Sequence, residues 1–418
     1  MFQLTFIFRF IFILVLIQPA LILSALAQSP VIFWKTDTGK YVNQSINTLY
    51  ANQEAIFLLG TASDKSETSA RMSLTRLSLK GKLQITTLIN DVAGFVSGTK
   101  ILPVNEQLIR IFGTAVNDNK VKIPYINTVS IDFSNSVQNS IFIVNPTIMG
   151  DAVPFSDRDC IWAKSVQSST TKLSNIYVYR SDRFDIDRFR WRLHIESAFH
   201  EECRKLIVLP DSNILLLARR LVPSQRDTGI GSYRSVIYKL SPSGKMIWNK
   251  EIPFVENFYE QDICFHSDSS FLLSFSYGAT SNTMVFQLDT AGNTKRVVRI
   301  DSILTNGILP LSNGEFALYG SDLKQTSNGI LNRGKILILK QNMEVFWKYE
   351  MKPTDKPDSE MTGILSGSDF KAAFELPNGS IACAGSVYMP DDTKAGFATS
   401  KSWSNRNFLV FFQLKTRK

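Results

Sequence analysis

Residues 237–252 read Ile237-Tyr-Lys-Leu-Ser-Pro-Ser-Gly-Lys-Met-Ile-Trp-Asn-Lys-Glu-Ile252. Apolar residues flank Ser241-Pro-Ser-Gly244, where Pro fixes φ and Gly supplies turn geometry, so the stretch is two short strands joined by a tight turn. Trp248 stands in the second strand. Imperfect copies of this hairpin recur along the chain. A repeat overrides the two or three domains that 418 residues would otherwise suggest, because stacked units share one architecture.

Two elements carry the repeat. The first is a short apolar strand ending in a small residue: Ala55–Gly60, Leu108–Gly113, Cys160–Ala163, Ile214–Ala218, Phe271–Phe275, Phe316–Gly320 and Ile381–Gly385. The fifth copy departs from the pattern by ending in Phe275. Leu-Pro stands before four of them, at Pro103, Pro210, Pro310 and Pro377, and marks the turn leading in. The second is an alternating run downstream: Leu74–Leu77, Val129–Ile131, Ile176–Tyr179, Val236–Leu240, Val285–Leu288, Ile336–Leu339 and Leu409–Leu414. Seven copies of each, spaced by roughly 50 to 60 residues, match four-stranded propeller blades. Helical periodicity is missing, which argues against α/β folds. The expected fold is an all-β, seven-bladed β-propeller of four-stranded antiparallel sheets. The third unit is the least regular, and in the seventh the stretches Asp355–Asp369 and Asp391–Trp403 read as surface loops.

A ring of blades must close or leave two raw sheet edges. The run Asn407–Leu414 reads as a third strand without a fourth, and Val31–Lys35 as a fourth strand without predecessors. Pairing of these N- and C-terminal strands is expected to complete one blade.

The first 27 residues read as a secretory leader: Arg9, the apolar run Phe10–Leu23, then small residues at Ser24–Ala27, with cleavage before Gln28. Residues 28–418 form the expected propeller domain. No cysteine follows the apolar run, which argues against lipoprotein processing, and no later stretch reaches ~18 apolar residues, so the mature chain is expected to lack a membrane span. Secretion or a periplasmic location, with possible attachment to the cell surface, is the expected address. Apolar residues make up 44% and the formal charge is +9, with Lys and Arg scattered. Without a basic stripe or recognition motif, nucleic acid is not an expected partner. Cys160, Cys203, Cys264 and Cys383 are widely spaced and lack a CxxC pattern, so buried free thiols are favoured over one disulfide.

The hairpin motif resembles the repeat of the PQQ-like bacterial β-propellers, in which a Gly turn precedes Trp by four residues. Trp34, Trp191, Trp248 and Trp347 occupy the matching place, while Ile85 and Arg296 stand there in other copies. The resemblance implies the propeller fold. It does not imply the quinone, whose ligands and calcium site have no counterpart here, so no cofactor is expected. These Trp residues are read as packing groups between blades. Trp403, placed in a polar loop, is the one read as able to stack on a sugar or ring ligand.

Catalytic chemistry is thin. His194, His200 and His266 form no H-x-x-x-H or H-E-x-x-H arrangement, and no G-x-S-x-G elbow or P-loop is present. In Ser181–Arg192, Asp182, Asp185 and Asp187 invite a calcium reading, but the missing Gly and interleaved Arg favour an outer strand with paired charges. No metal is expected. The candidate ligand-binding residues follow from the Leu-Pro register. Eight positions before Pro210 and Pro377 stand Glu202 and Asp369, and the same count places Asp301 beside Ser302 and Glu260 beside Tyr259. With His200, these would gather negative charge at one mouth of the channel. Two functions are expected to compete: a non-enzymatic binding or scaffolding propeller for a protein or carbohydrate ligand, and a hydrolase or lyase with polar chemistry at the channel mouth.

Overall fold

The computed structural model describes residues 43–63, 70–89, 96–116, 121–134, 136–141, 147–223, 232–252, 258–267, 269–277, 281–326, 329–352, 367–390 and 403–413. All of its regular structure is strand. The first blade is β1 (Asn43–Ala51), β2 (Ala55–Ser63), β3 (Ala70–Ser78) and β4 (Leu83–Ile89). The second is β5 (Val96–Pro103), β6 (Leu108–Val116), β7 (Lys122–Ser130) and β8 (Ser136–Ile141). The third is β9 (Thr147–Pro154), β10 (Asp159–Gln167), β11 (Ser174–Asp182) and β12 (Phe189–Ile195). The fourth is β13 (His200–Val208), β14 (Ile214–Val222), β15 (Ser232–Leu240) and β16 (Met246–Glu251). The fifth is β17 (Phe258–Ser267), β18 (Ser270–Tyr277), β19 (Asn282–Asp289) and β20 (Thr294–Asp301). The sixth is β21 (Leu304–Pro310), β22 (Phe316–Thr326), β23 (Gly329–Leu339) and β24 (Val345–Glu350). The seventh has β25 (Gly367–Glu375), β26 (Ile381–Pro390) and β27 (Trp403–Phe412). Each blade is an antiparallel meander running outward from its first strand, which is the seven-bladed propeller expected.

The second strand of each blade explains the apolar repeat. Ile214, Leu216 and Ala218 of β14 face the third blade, while Leu215 and Leu217 face the fifth. A strand buried on both faces reads as a continuous hydrophobic run. The core is accordingly divided into seven clusters, each between two neighbouring blades. One of them packs Ile46, Leu49 and Ile56 of the first blade against Ala384, Leu409 and Phe411 of the seventh, so the ring closes. Backbone pairing joins the same two blades through Asn43 and Asn405, making one seven-stranded sheet. The strand expected at Val31–Lys35 and the leader lie outside the described residues.

The Trp positions act between blades. Trp191 on β12 lies over Gly244 in the β15–β16 turn and donates its indole N–H to the Pro242 carbonyl at 3.0 Å. Trp248 on β16 lies over Gly292 in the β19–β20 turn. Trp347 on β24 meets Phe412 of the seventh blade edge-on at 5.6 Å. Gly244 and Gly292 have φ of +81° and +79°, so glycine serves both the turn and the space the indole needs.

Two loop expectations are corrected. Asp369 belongs to β25 and Trp403 opens β27, both of which pair with β26, while residues 355–366 and 391–402 lie outside the described residues. Ser181–Arg192 is not one outer strand but the end of β11, a connection over 183–188 and the start of the outer strand β12. All four cysteines are buried free thiols, and burial raises the pKa of Cys160 to about 12. Among the described residues no helix is long and apolar enough to cross a membrane.

Candidate functional site at the central channel

The first strands of all seven blades line a central cavity of about 1020 Å³. Every one of them breaks register with its neighbour, as a β-bulge does. The extra residue is Asn47 in β1, Thr99 in β5, Arg204 in β13, Asn306 in β21 and Lys371 in β25. A bulge bends its strand and re-aims side chains, here toward the channel. It also explains the small residue that ends the apolar strand. A Cβ on Gly60, Gly320 or Gly385 would overlap the carbonyl oxygen of Ser45, Leu304 or Asp369 respectively, and one on Gly113 would lie 2.5 Å from that of Ser97. In β17 the irregularity sits nearer the strand start, between Phe258 and Gln261, and β18 can carry Phe275 at that station.

Polar contacts stitch neighbouring first strands together around the channel. Asn47 donates to Ser97 Oγ at 3.2 Å and to the Gly98 carbonyl at 2.9 Å. Lys100 pairs with Asp151 at 3.4 Å, and Asp151 accepts the Leu206 N–H at 3.0 Å. Lys205 pairs with Asp262 at 3.2 Å, and Asp262 accepts the Ile308 N–H at 3.0 Å. Asn306 donates to Asp369 at 2.7 Å and to the Phe370 carbonyl at 2.8 Å, while Lys371 pairs with the same Asp369 at 2.5 Å.

These pairs have a direction. The Asp151, Asp262 and Asp369 side chains are only 6%, 6% and 7% exposed, whereas Lys100, Lys205 and Lys371 are 26%, 30% and 37% exposed. The carboxylates are the more buried partners, Asp151 and Asp262 still reaching the cavity wall, and the ammonium groups are the more exposed ones on that wall. Asp262 raises the Lys205 pKa, keeping it charged, and burial raises that of Asp369 against the opposing pull of Lys371. Each pair is formally neutral, so what the lumen offers is cationic N–H donors over buried acceptors. Tyr50 and Phe374 add aromatic surface to the same wall, their rings edge to face at 6.0 Å.

The sequence-derived candidates separate. Glu202 lines the channel and pairs with Arg219 at 2.6 Å. Asp369 occupies the equivalent place in β25, two residues before the bulge, but is buried between blades. Asp301 is displaced from the expected mouth: it ends the outermost strand β20, 68% exposed and paired with Arg299 at 2.7 Å. His200 opens β13, where its Nδ1 accepts the Ser174 N–H at 3.3 Å. Its neighbour Glu201 is fully buried and bonded by Arg220 and Tyr238. Glu260 falls on β17, and its side chain lies outside the described residues. The expected excess of negative charge does not describe this wall, since Glu202, Asp151, Asp262 and Asp369 each meet a cation.

The remaining candidates are engaged elsewhere. Asp182 pairs with Arg190 at 3.3 Å and accepts the Phe184 N–H at 2.9 Å, as the paired-charge reading expects. Among the described residues no group of three or more His, Cys, Asp or Glu is arranged to hold a metal ion. His194 stacks on Tyr177 and His266 on Phe316. The side chain of Trp403 lies outside the described residues.

No family model matches the chain, and no curated protein matches it in sequence. Among solved structures it is similar to a protein of unknown function from Dyadobacter fermentans, at 8% identity and TM-score 0.49 over 92% of this chain and 99% of that one. It is also similar to the Dos1 propeller, at 11% identity and TM-score 0.47 over 92% and 94% of the two chains. A third is the periplasmic gluconolactonase of Pseudomonas aeruginosa, at 12% identity and TM-score 0.45 over 73% and 85%. Likeness at these levels says nothing about activity.

Proposed function

We propose that this protein is an exported, non-enzymatic binding propeller whose central channel takes an anionic carbohydrate. The observation that carries the reading is the orientation of the three ion pairs: Lys100, Lys205 and Lys371 toward the lumen, their aspartates behind them. Charge-assisted N–H donors favour carboxylate and other anionic acceptors. Tyr50 and Phe374 supply apolar ring faces against which a sugar can lie. The cavity of about 1020 Å³ is large enough for a short oligosaccharide. Export rests on the leader-like residues 1–27, and amino-terminal sequencing of the mature protein should begin at Gln28.

A thermal-shift comparison of trigalacturonate, citrate and the neutral sugar maltotriose tests the ligand class. The acidic trisaccharide should raise the melting temperature most, by an amount that grows with the logarithm of its concentration above its Kd. Equal shifts with maltotriose, or no shift with either acid, would remove the basis for the reading.

A further inference from the structure

The seam between the fifth and sixth blades departs from the Trp-over-turn pattern. Arg296 pairs opposite Gln287 in the register at which Trp248 pairs opposite Lys239. Arg296 therefore stands where the fourth blade has its indole. The receiving turn has changed as well: Met343 holds φ +60° at the station of Gly244 and Gly292. Its side chain is buried among Ile300, Leu318 and Leu339 and fills the inner part of the seam. Outside it remains an open groove of about 630 Å³, with Val298 and Met343 on its walls and Val345, 44% exposed, at its rim.

The charges around this groove are not balanced. Arg299 is neutralised by Asp301 at 2.7 Å, and Lys335 by Asp322 at 3.1 Å. Arg296 and Lys348 line the groove from the outer strands β20 and β24, and among the described residues neither side chain has an ion pair or hydrogen bond, while the groove's carboxylate Glu344 is held by Lys340 at 3.7 Å. The groove thus combines an unfilled aromatic position with two uncommitted cations. Either feature alone is ordinary surface. Together they match one chemistry.

We propose that this groove docks an acidic peptide segment of a partner protein through one aromatic side chain. The ring takes the place left by the missing indole, against Val298 and Met343, and flanking carboxylates meet Arg296 and Lys348. Aromatic anchors in pockets dominate such interfaces, while rim charges set salt dependence and association rate. The site is separate from the channel, so the two readings stand or fall independently.

Fluorescence anisotropy with the full chain and a labelled pentapeptide, Trp between pairs of acidic residues, tests this. The wild-type protein should bind it, and more weakly as salt rises. Arg296→Trp should abolish binding by placing an indole in the groove and removing one of its two cations. Lys348→Glu should weaken binding about tenfold, equivalent to about 1.4 kcal/mol. Trigalacturonate should not compete. The proposal is overturned if the wild-type protein fails to bind, if Arg296→Trp binds as well as wild type, or if a peptide with Ala in place of Trp binds equally. Displacement of both peptides by heparin at equal potency would likewise mark the groove as no more than a basic surface.

Discussion

Gly320→Ala is the sharpest test of the bulged first strands. The added methyl would overlap the Leu304 carbonyl oxygen and lie 2.9 Å from the Asn306 amide nitrogen. Both are backbone atoms of the β21 bulge, so no side-chain rotation relieves the contact. Overpacking a tight site by one methyl costs about 1–3 kcal/mol. Displacing the bulge also sacrifices about one ladder hydrogen bond, worth ~1 kcal/mol. Against this, the stiffer unfolded chain returns about 0.4–1 kcal/mol. The net expectation is a loss of about 1–4 kcal/mol, read from urea unfolding monitored by Trp fluorescence. Gly379→Ala is the control. Nothing lies within 4 Å of its Cβ, and only its φ of +75° opposes the change. That strain is worth about 1–2 kcal/mol. If Gly320→Ala is neutral, or costs less than Gly379→Ala, the close bulge contact is not what keeps this station small.

Three further outcomes follow from other contacts. Trp248→Ala should cost about 2–4 kcal/mol, toward the low end of buried Trp truncation because the ring is half-buried, measured by calorimetry. Lys205→Met alone should destabilise by about 3 kcal/mol by stranding buried Asp262, whereas Lys205→Met with Asp262→Asn should recover most of it, as a double-mutant cycle would report. Acid unfolding should set in below pH ~4. Hydrogen bonds donated by the backbone and side-chain N–H groups of Asn293 lower the Asp289 pKa, and hydrogen bonds from Ser130 and Ser134 bring that of Asp132 to about 2. Depressed carboxylates stabilise the fold above their ordinary value and lose that contribution as pH falls through the folded one. Asp369 has the opposite sign, since its raised pKa makes its charged form a cost at neutral pH, so Asp369→Asn should remove the gain in stability that its protonation brings as pH falls toward the ordinary carboxylate range.

The blade count was legible because a strand buried on both faces must be apolar throughout, as Ile214–Leu217 is, and because the Trp248 hairpin repeats. The channel was harder, and the Leu-Pro mark shows why. In the fourth and seventh blades Leu209-Pro210 and Leu376-Pro377 lie in the turn, beyond β13 and β25. In the second and sixth, Leu102-Pro103 and Leu309-Pro310 are the last residues of β5 and β21. The same dipeptide thus marks two registers. Counting back from it finds Glu202 and Asp369 at equivalent places, but in the sixth blade it overshoots to Asp301 on the previous strand. The ion-pairing residues were missed for a related reason. Lys100, Asp151, Lys205 and Asp262 sit beside bulges, where alternation fails and side-chain direction no longer follows from sequence parity. The Gly or Ala ending six of the seven apolar strands was the visible trace of those bulges.

The orientation of the channel ion pairs is tested most directly by isothermal titration of trigalacturonate into the wild-type protein and the Lys205→Met, Asp262→Asn double variant. The double substitution removes one luminal ammonium without leaving a buried charge unpaired. Saturable binding at one site per chain is expected in the wild type, weakening with salt, with a loss of about tenfold or more in the variant at nearly unchanged melting temperature. Undiminished affinity in the double variant, or binding of maltotriose with equal strength, would contradict this expectation.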